Sequence, residues 1–433
     1  MKRKVISTIL CVSMAAAMIA GCGNSDKKTT EAAKTTEAKT EAAKETEAKT
    51  EAKTEAKTEA KEETEAATEA KTEAKEETEA ATEAKTEAKE ETEAATEAKK
   101  DDAKETEAAG AAGDYSDVTI EIVAKGFQHD FWKAVKLGTE RAAEDLGLAG
   151  TNFVGPQNES AVAEQVEQLN NAINKKPSAI CLAALDPASV EGALESTDIP
   201  VVGFDSGVPG SKVVVANAAT DNYAAGELAA DHMYELIKDQ VTDPADTVRI
   251  GVVSQDATSQ SIGDRTAGFI DKMVTLIGED KASVEGHDKY NKKVDGAKVI
   301  IEVGIPATVD DAACVTVAST LLNKKDLIAV YGSNEFAAKN TITANESLQV
   351  LGENSDRKAV GVGFDSGKIQ LQAIKDGIFA GSITQNPVQI GYKAVELAAK
   401  AAKGEKVEDV DTGCLWYTKD NMESDEIAPC LYE

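Results

Sequence analysis

Gly203-Phe204-Asp205-Ser206-Gly207 occurs again as Gly363-Phe364-Asp365-Ser366-Gly367. Each copy follows a short apolar run, Ile199-Pro200-Val201-Val202 in one case and Ala359-Val360-Gly361-Val362 in the other. An apolar run that ends in Asp-Ser-Gly reads as a buried strand followed by a turn. At the carboxyl end of a buried parallel strand, an Asp stands where open α/β sheets bind ligands. Two such ends imply two similar lobes, each presenting one Asp to a shared cleft. The competing reading of either copy is that Asp and Ser cap the following helix; repetition in matching contexts favours a site.

Outward from these two words, strand and helix patterns alternate from Val118 to about Lys403, which points to parallel sheets with helices on both faces. The spacing predicts a helix from about Phe131 to Leu146, and another from Ser160 to Asn174 with Ser160 as its cap. A loop over Ser254–Ser261 precedes a helix around Arg265–Ile277. The polar segment Glu279–Gly296 reads as a surface insertion. Leu327–Tyr331 is a strand that ends in Gly332-Ser333-Asn334. Phe379–Thr384 is another, ending at Gln385, after which Asn386-Pro387 opens the last long helix.

The beginning of the chain has a different character. Lys2-Arg3-Lys4 and the apolar run Val5–Met18 read as an export signal, too short for an ordinary spanning helix. It ends in Met18-Ile19-Ala20-Gly21-Cys22, which resembles the lipobox of bacterial lipoproteins and implies cleavage before Cys22 and acylation of Cys22. Residues 23–113 are then almost wholly Thr, Glu, Ala and Lys, with a 14-residue unit that places Thr64, Thr78 and Thr92 in register. Without an aromatic, Ile, Leu, Val or Met, this segment cannot build a core. Its period of four stacks like charges at i,i+4, which opposes the helix that its Ala and Glu favour. It reads as a solvated spacer; as a full helix it would reach on the order of 130 Å.

The spacer holds 27 acidic and 16 basic residues, and residues 114–433 carry a net charge of −22. That balance argues against nucleic acid and anionic membrane as partners. Cys181 and Cys314 lie in apolar patterns and read as small core residues. Cys414 and Cys430 flank the C-terminal tail, where a disulfide is open to an exported protein. The spacing of Cys and His suggests no metal site.

The lipobox, the two strand–turn–Asp repeats and the stretch Ala380-Gly-Ser-Ile-Thr-Gln385-Asn-Pro-Val-Gln-Ile-Gly-Tyr392 together resemble the periplasmic binding proteins of the ribose and galactose type. These are substrate-binding components of sugar ABC importers. The resemblance spans Asp114 to about Asp420. It implies an α/β chain of two Rossmann-like lobes joined by a three-segment hinge, the type I periplasmic-binding-protein fold. One lobe would comprise about 114–219 and 386–412, the other about 220–385 and 413–433. It also implies a monomer, anchored outside the cytoplasmic membrane by lipid alone. That monomer would bind a small sugar or polyol by hinge closure and engage ABC permease and ATPase subunits, with no cofactor and no catalysis.

The same resemblance assigns site residues. Lys125 to Trp132 supply polar and aromatic contacts, with Phe131 and Trp132 at the family's aromatic pair. Asp205 and Asp365 stand at the carboxylate positions, Asn334 and Gln385 at the amides, and Arg265 at an Arg that bonds both ligand and acid. Planar polar groups of this kind make paired hydrogen bonds to neighbouring hydroxyls, and aromatic faces cover the apolar side of a sugar ring. Other readings stand beside these. Phe131 or Trp132 could face the core, Asn334 could cap the next helix, and His129 could be a loop residue near the cleft. Lys125, His129 and Ser206 depart from the ribose-type pattern, and the second lobe's aromatic position holds an aliphatic around Val309. Lys125 and His129 leave open a sugar carrying an acidic group.

Two other function classes compete. Gly361-x-Gly363 hints at a dinucleotide loop, but Asp365 would occupy the pyrophosphate's place and the third Gly is misplaced. A ligand sensor of the same fold, reading an autoinducer, nucleoside or sugar for a membrane receptor, differs too little in sequence to be separated.

Overall fold

The computed structural model describes residues 114–127 and 129–433. The export signal, Cys22 and the spacer lie outside them. Among the described residues the first elements are β1 (Thr119–Val123), α1 (Phe131–Asp145), β2 (Gly150–Val154), α2 (Val162–Asn174), β3 (Ala179–Leu182), α3 (Pro187–Leu194), β4 (Val201–Phe204) and β5 (Val214–Ala219). Then follow α4 (Asn222–Val241), β6 (Val248–Val253), α5 (Gln260–Ile277), β7 (Ala282–Glu285), β8 (Val299–Gly304), α6 (Asp311–Leu322), β9 (Leu327–Gly332), α7 (Glu335–Leu348), β10 (Val360–Phe364) and α8 (Lys368–Lys375). The chain closes with β11 (Gly381–Gln385), α9 (Pro387–Ala402), β12 (Val410–Asp411) and β13 (Cys414–Tyr417).

These strands make two sheets, ordered β12-β5-β4-β3-β1-β2 and β13-β11-β10-β9-β6-β8-β7. The first is parallel throughout; the second is parallel except for β13, which runs antiparallel to β11. Burial on both faces explains the near-continuous apolar strands. In β3, Ala179 and Cys181 enter one core while Ile180 and Leu182 enter another on the opposite face. In β9, Ala329 and Tyr331 do the same against Leu327 and Val330.

The chain crosses between the lobes three times. It passes from β5 to α4 at Thr220, from β11 to α9 at Asn386, and from β12 to β13 at Thr412-Gly413. The first and third crossings are tied together. Thr412 N–H donates to Ala219 O at 3.0 Å, Thr220 Oγ1 to Gly413 O at 3.2 Å, and Asp221 N–H to Asp411 Oδ1 at 3.1 Å. Each exchanged helix packs through glycine. A Cβ on Gly391 of α9 would meet Val135 O of α1 at 2.0 Å, and one on Gly226 of α4 would meet Arg265 O of α5 at 2.2 Å.

The structure departs from the sequence reading in several places. Residues 279–296 are no mere insertion, because β7 pairs in parallel with β8 and forms the sheet edge. Helix α2 starts at Val162, and Ser160 does not cap it; its Oγ turns back to Asn158 Oδ1 at 2.5 Å. Helix α5 begins at Gln260, one and a half turns earlier than its apolar pattern shows, because its first turn carries cleft residues. Cys414 and Cys430 are free thiols and do not form the disulfide considered above, while Cys181 and Cys314 are buried. Among the described residues no helix is long and apolar enough to cross a membrane.

Candidate functional site

The repeated turn behaves alike in both copies. Asp205 and Asp365 adopt left-handed backbone, with φ 56° and 68°, a region Asp tolerates better than most side chains. In the first copy Ser206 N–H donates to Phe204 O at 2.5 Å across Asp205. The reversal brings each carboxylate to the carboxyl end of its strand, β4 in one sheet and β10 in the other.

Around Asp205 the contacts reach across to the second lobe. Lys125 Nζ lies 2.8 Å from Asp205 Oδ2 and donates to Ser259 Oγ at 2.9 Å and Ser261 Oγ at 3.0 Å. Lys125 thus spends two donors on hydroxyls of the second lobe while its charge is paired with Asp205. Ser206 Oγ adds a bond to Ser261 Oγ at 2.8 Å. A second chain of bonds runs across the cleft. Trp132 Nε1 donates to Glu159 Oε1 at 2.8 Å, Gln255 Nε2 to Glu159 Oε2 at 2.8 Å, and Asn334 Nδ2 to Gln255 Oε1 at 2.7 Å. Asn334 also caps α7, accepting from Ala337 N–H at 3.0 Å, so the capping residue is at the same time one that borders the cleft. His129 Nε2 stands 3.5 Å from Glu159, and its ring meets Phe336 of the opposite lobe edge-on. Burial lowers the His129 imidazole below its usual value, with Glu159 opposing.

Asp365 is held by its own lobe. Gln385 Nε2 donates to Oδ1 at 2.6 Å, Glu335 N–H to Oδ2 at 3.1 Å, and Arg265 approaches Oδ2 at 3.7 Å. The Arg265 guanidinium lies 3.5 Å over the Phe364 ring, donates to Ser333 O at 2.9 Å and forks onto Asn222 Oδ1. Burial raises the Asp365 carboxyl above the usual range, and Arg265, Gln385 and the Glu335 N–H work against that rise.

All nine residues singled out from the sequence border one cavity of about 30 Å³. These are Lys125, His129, Phe131, Trp132, Asp205, Arg265, Asn334, Asp365 and Gln385. Phe131 and Trp132 meet edge-to-face, their centroids 5.1 Å apart, and both are buried. Four lining residues escaped the sequence reading: Glu159, Ser261, Ile262 and Glu335. Val309 is not in the lining and packs on the core beneath α6 and α7 instead; Ile262 is the second lobe's aliphatic at the cavity. A larger cavity, about 360 Å³, adjoins at Asp205 and Ser261 and runs toward the hinge at Thr220. It lacks the aromatic pair, Arg265, Asn334, Asp365 and Gln385, so the convergent chemistry belongs to the smaller one. Among the described residues no group of three His, Cys, Asp or Glu could hold a metal ion.

Residues 120–406 match the family model described as a periplasmic binding protein domain. This chain belongs to the periplasmic binding protein family. The ribose import binding protein RbsB of Escherichia coli (strain K12) is 26% identical over 296 residues, covering 67% of this chain and 86% of its own length. A solved structure from Brachyspira murdochii, described as an ABC transporter, LacI family transcriptional regulator, is 36% identical with a TM-score of 0.62. It covers 73% of this chain and 99% of that one. A carbohydrate transporter solute binding protein from Agrobacterium radiobacter, solved with D-arabinose, is 28% identical with a TM-score of 0.61, covering 73% of this chain and 99% of its own. The two lobes and triple crossover are thus the type I binding-protein fold, and this periplasmic binding protein is of the ribose type, a binder and not an enzyme.

Proposed function

We propose that this protein is the lipid-anchored, extracytoplasmic solute receptor of an ABC importer and captures one small neutral sugar or polyol between its lobes. One observation carries the reading. The repeated turn delivers two buried aspartates, one from each lobe, to a single cavity shared with Asn334, Gln385, Arg265 and the Phe131–Trp132 pair. Such groups suit a ring of hydroxyls with an apolar face. Asp205 neutralises the charge of Lys125 at 2.8 Å, which favours a neutral ligand over a sugar acid.

Ligand contacts from both lobes favour the closed arrangement, and binding shifts the population toward it by bending at the three crossovers. The closed monomer then docks on the permease with its ATPase, held to the membrane through Cys22 at the end of the spacer. The sugar-bound Agrobacterium relative and the ribose-binding relatives support the ligand class.

A thermal-shift screen of monosaccharides, sugar acids, polyols and nucleosides tests this, because a ligand of the folded state raises the unfolding midpoint. A neutral sugar or polyol is expected to give the largest rise. A larger rise with a sugar acid or nucleoside, or no rise with any compound, overturns the proposal.

A further inference from the structure

Glu335 opens α7, directly after Asn334, and borders the cavity from the second lobe. It is a carboxyl in an unusual setting. Its Oε2 is closed off from solvent and has no hydrogen-bond partner. None of the ion pairs among the described residues includes it, although Lys339 lies one turn along the same helix. Its backbone N–H is spent on Asp365 Oδ2 at 3.1 Å, which brings a second acid close. Its side chain lies close to the other lobe, where the Phe131 backbone favours its charged form. An ionised carboxylate buried without a cation is costly, and such a group takes a proton instead.

We propose that Glu335 is a cleft residue that enters the closed state as the neutral acid, so that closure takes up one proton and turns the Glu335 carboxyl into an O–H donor facing the ligand. The idea rests on the sugar-binding reading for its ligand, but not for its proton. Sugar hydroxyls accept as well as donate. Among the groups that border the cavity, Asp205 and Asp365 are acceptors when ionised, and Lys125 is already held by Asp205, Ser259 and Ser261. A neutral Glu335 supplies one at the seam between the lobes.

The surroundings on balance favour the protonated form. Burial first, then the charges of Asp365 and Asp130, push the Glu335 carboxyl up to about 8; the Phe131 backbone and Lys339 oppose this. The remaining neighbours are Lys133 on α1, Tyr417 on β13 and Tyr432 from the C-terminal tail. Opening the cleft would return Glu335 to water and lower its carboxyl toward the ordinary value of 4.5. Between those two values the closed state holds a proton that the open state lacks. Ligand affinity should therefore fall as pH rises, by up to about tenfold per pH unit.

Two measurements on the full chain test this. In the first, Ser206→Cys with Ser261→Cys closes the cleft by an interlobe disulfide, since these hydroxyls lie 2.8 Å apart. Carbon-13 spectra of glutamate carboxyls then read the titration with no ligand present. One resonance, absent in Glu335→Gln, is expected to titrate near 8; a midpoint near 4.5 for that resonance overturns the proposal. The second is calorimetry with D-ribose and D-arabinose at pH 6.5 in two buffers of different ionisation enthalpy. Wild type is expected to take up about one proton more per sugar bound than Glu335→Gln, and equal uptake overturns the proposal. If neither sugar binds, the locked-cleft titration still decides Glu335, and the screen above decides the sugar reading separately.

Discussion

Lys125 Nζ and Asp205 Oδ2 stand 2.8 Å apart with both side chains almost wholly buried. Each neutralises the other inside the first lobe, while Lys125 reaches Ser259 and Ser261 of the second. Removing one member of a buried pair strands the other, which costs about 3–5 kcal/mol. Lys125→Met is therefore expected to weaken the closed state by several hundredfold. Lys125→Met with Asp205→Asn should recover much of that loss. A double-mutant cycle on sugar affinity checks the coupling; additive losses would show that the pair does not act as a unit.

The sequence contains two tryptophans, Trp132 and Trp416. Trp132 lies in the cleft with its indole N–H on Glu159, whereas Trp416 stacks on His232 at 4.3 Å within the second lobe. A fluorescence change on adding ligand is expected to survive Trp416→Phe and to vanish in Trp132→Phe. The converse pattern would place the moving contact elsewhere.

His129 adds a pH dependence opposite in sign to that of Glu335. Burial depresses its imidazole in the closed cleft. Closure is then fully supported above the ordinary imidazole range, and support is lost as pH falls through it, because a solvated imidazole in the open state takes up a proton that the closed state disfavours. In a Glu335→Gln background, affinity should decline from pH 7 to pH 5, and His129→Gln should flatten that decline. Binding isotherms across this range read the difference.

The helix exchange sets a packing constraint in each lobe. On α5, a Cβ at Gly268 would sit 2.1 Å from Tyr223 O, and on α1 a Cβ at Gly138 would sit 2.0 Å from Val388 O. Backbone cannot yield cheaply there. Gly268→Ala or Gly138→Ala is expected to cost about 1–3 kcal/mol, visible as a lowered urea midpoint. An unchanged midpoint would mean that the helices can part without penalty.

Much of this arrangement is written plainly in the chain. The repeated Gly-Phe-Asp-Ser-Gly marks both strand ends because a buried strand, a left-handed Asp and a turn each leave a local trace. Gln385 stands out because it ends an apolar strand just before Asn-Pro. Glu159 and Glu335 leave no such trace. Glu159 sits in the polar run Gln157-Asn158-Glu159-Ser160, and Glu335 follows Asn334 in the common pattern of a capped, acidic first helical turn. Only tertiary closure distinguishes them from solvated helix-start acids. Ser261 was hidden in the same way, inside a helix start that its polar first turn disguised as loop. Residues 279–296 misled because β7 is a short edge strand with one polar flank, and it declares itself only through its register with β8.

The central claim is that Asp205 and Asp365 jointly hold the ligand. Calorimetric titration of wild type, Asp205→Ala and Asp365→Ala with the sugar or polyol that most raises the unfolding midpoint tests it most directly. The expected result is at least about a hundredfold loss of affinity in each variant, consistent with about 3 kcal/mol for charge-assisted hydrogen bonds lost from a buried site. Unchanged affinity in both variants, with the fold intact, would contradict the account.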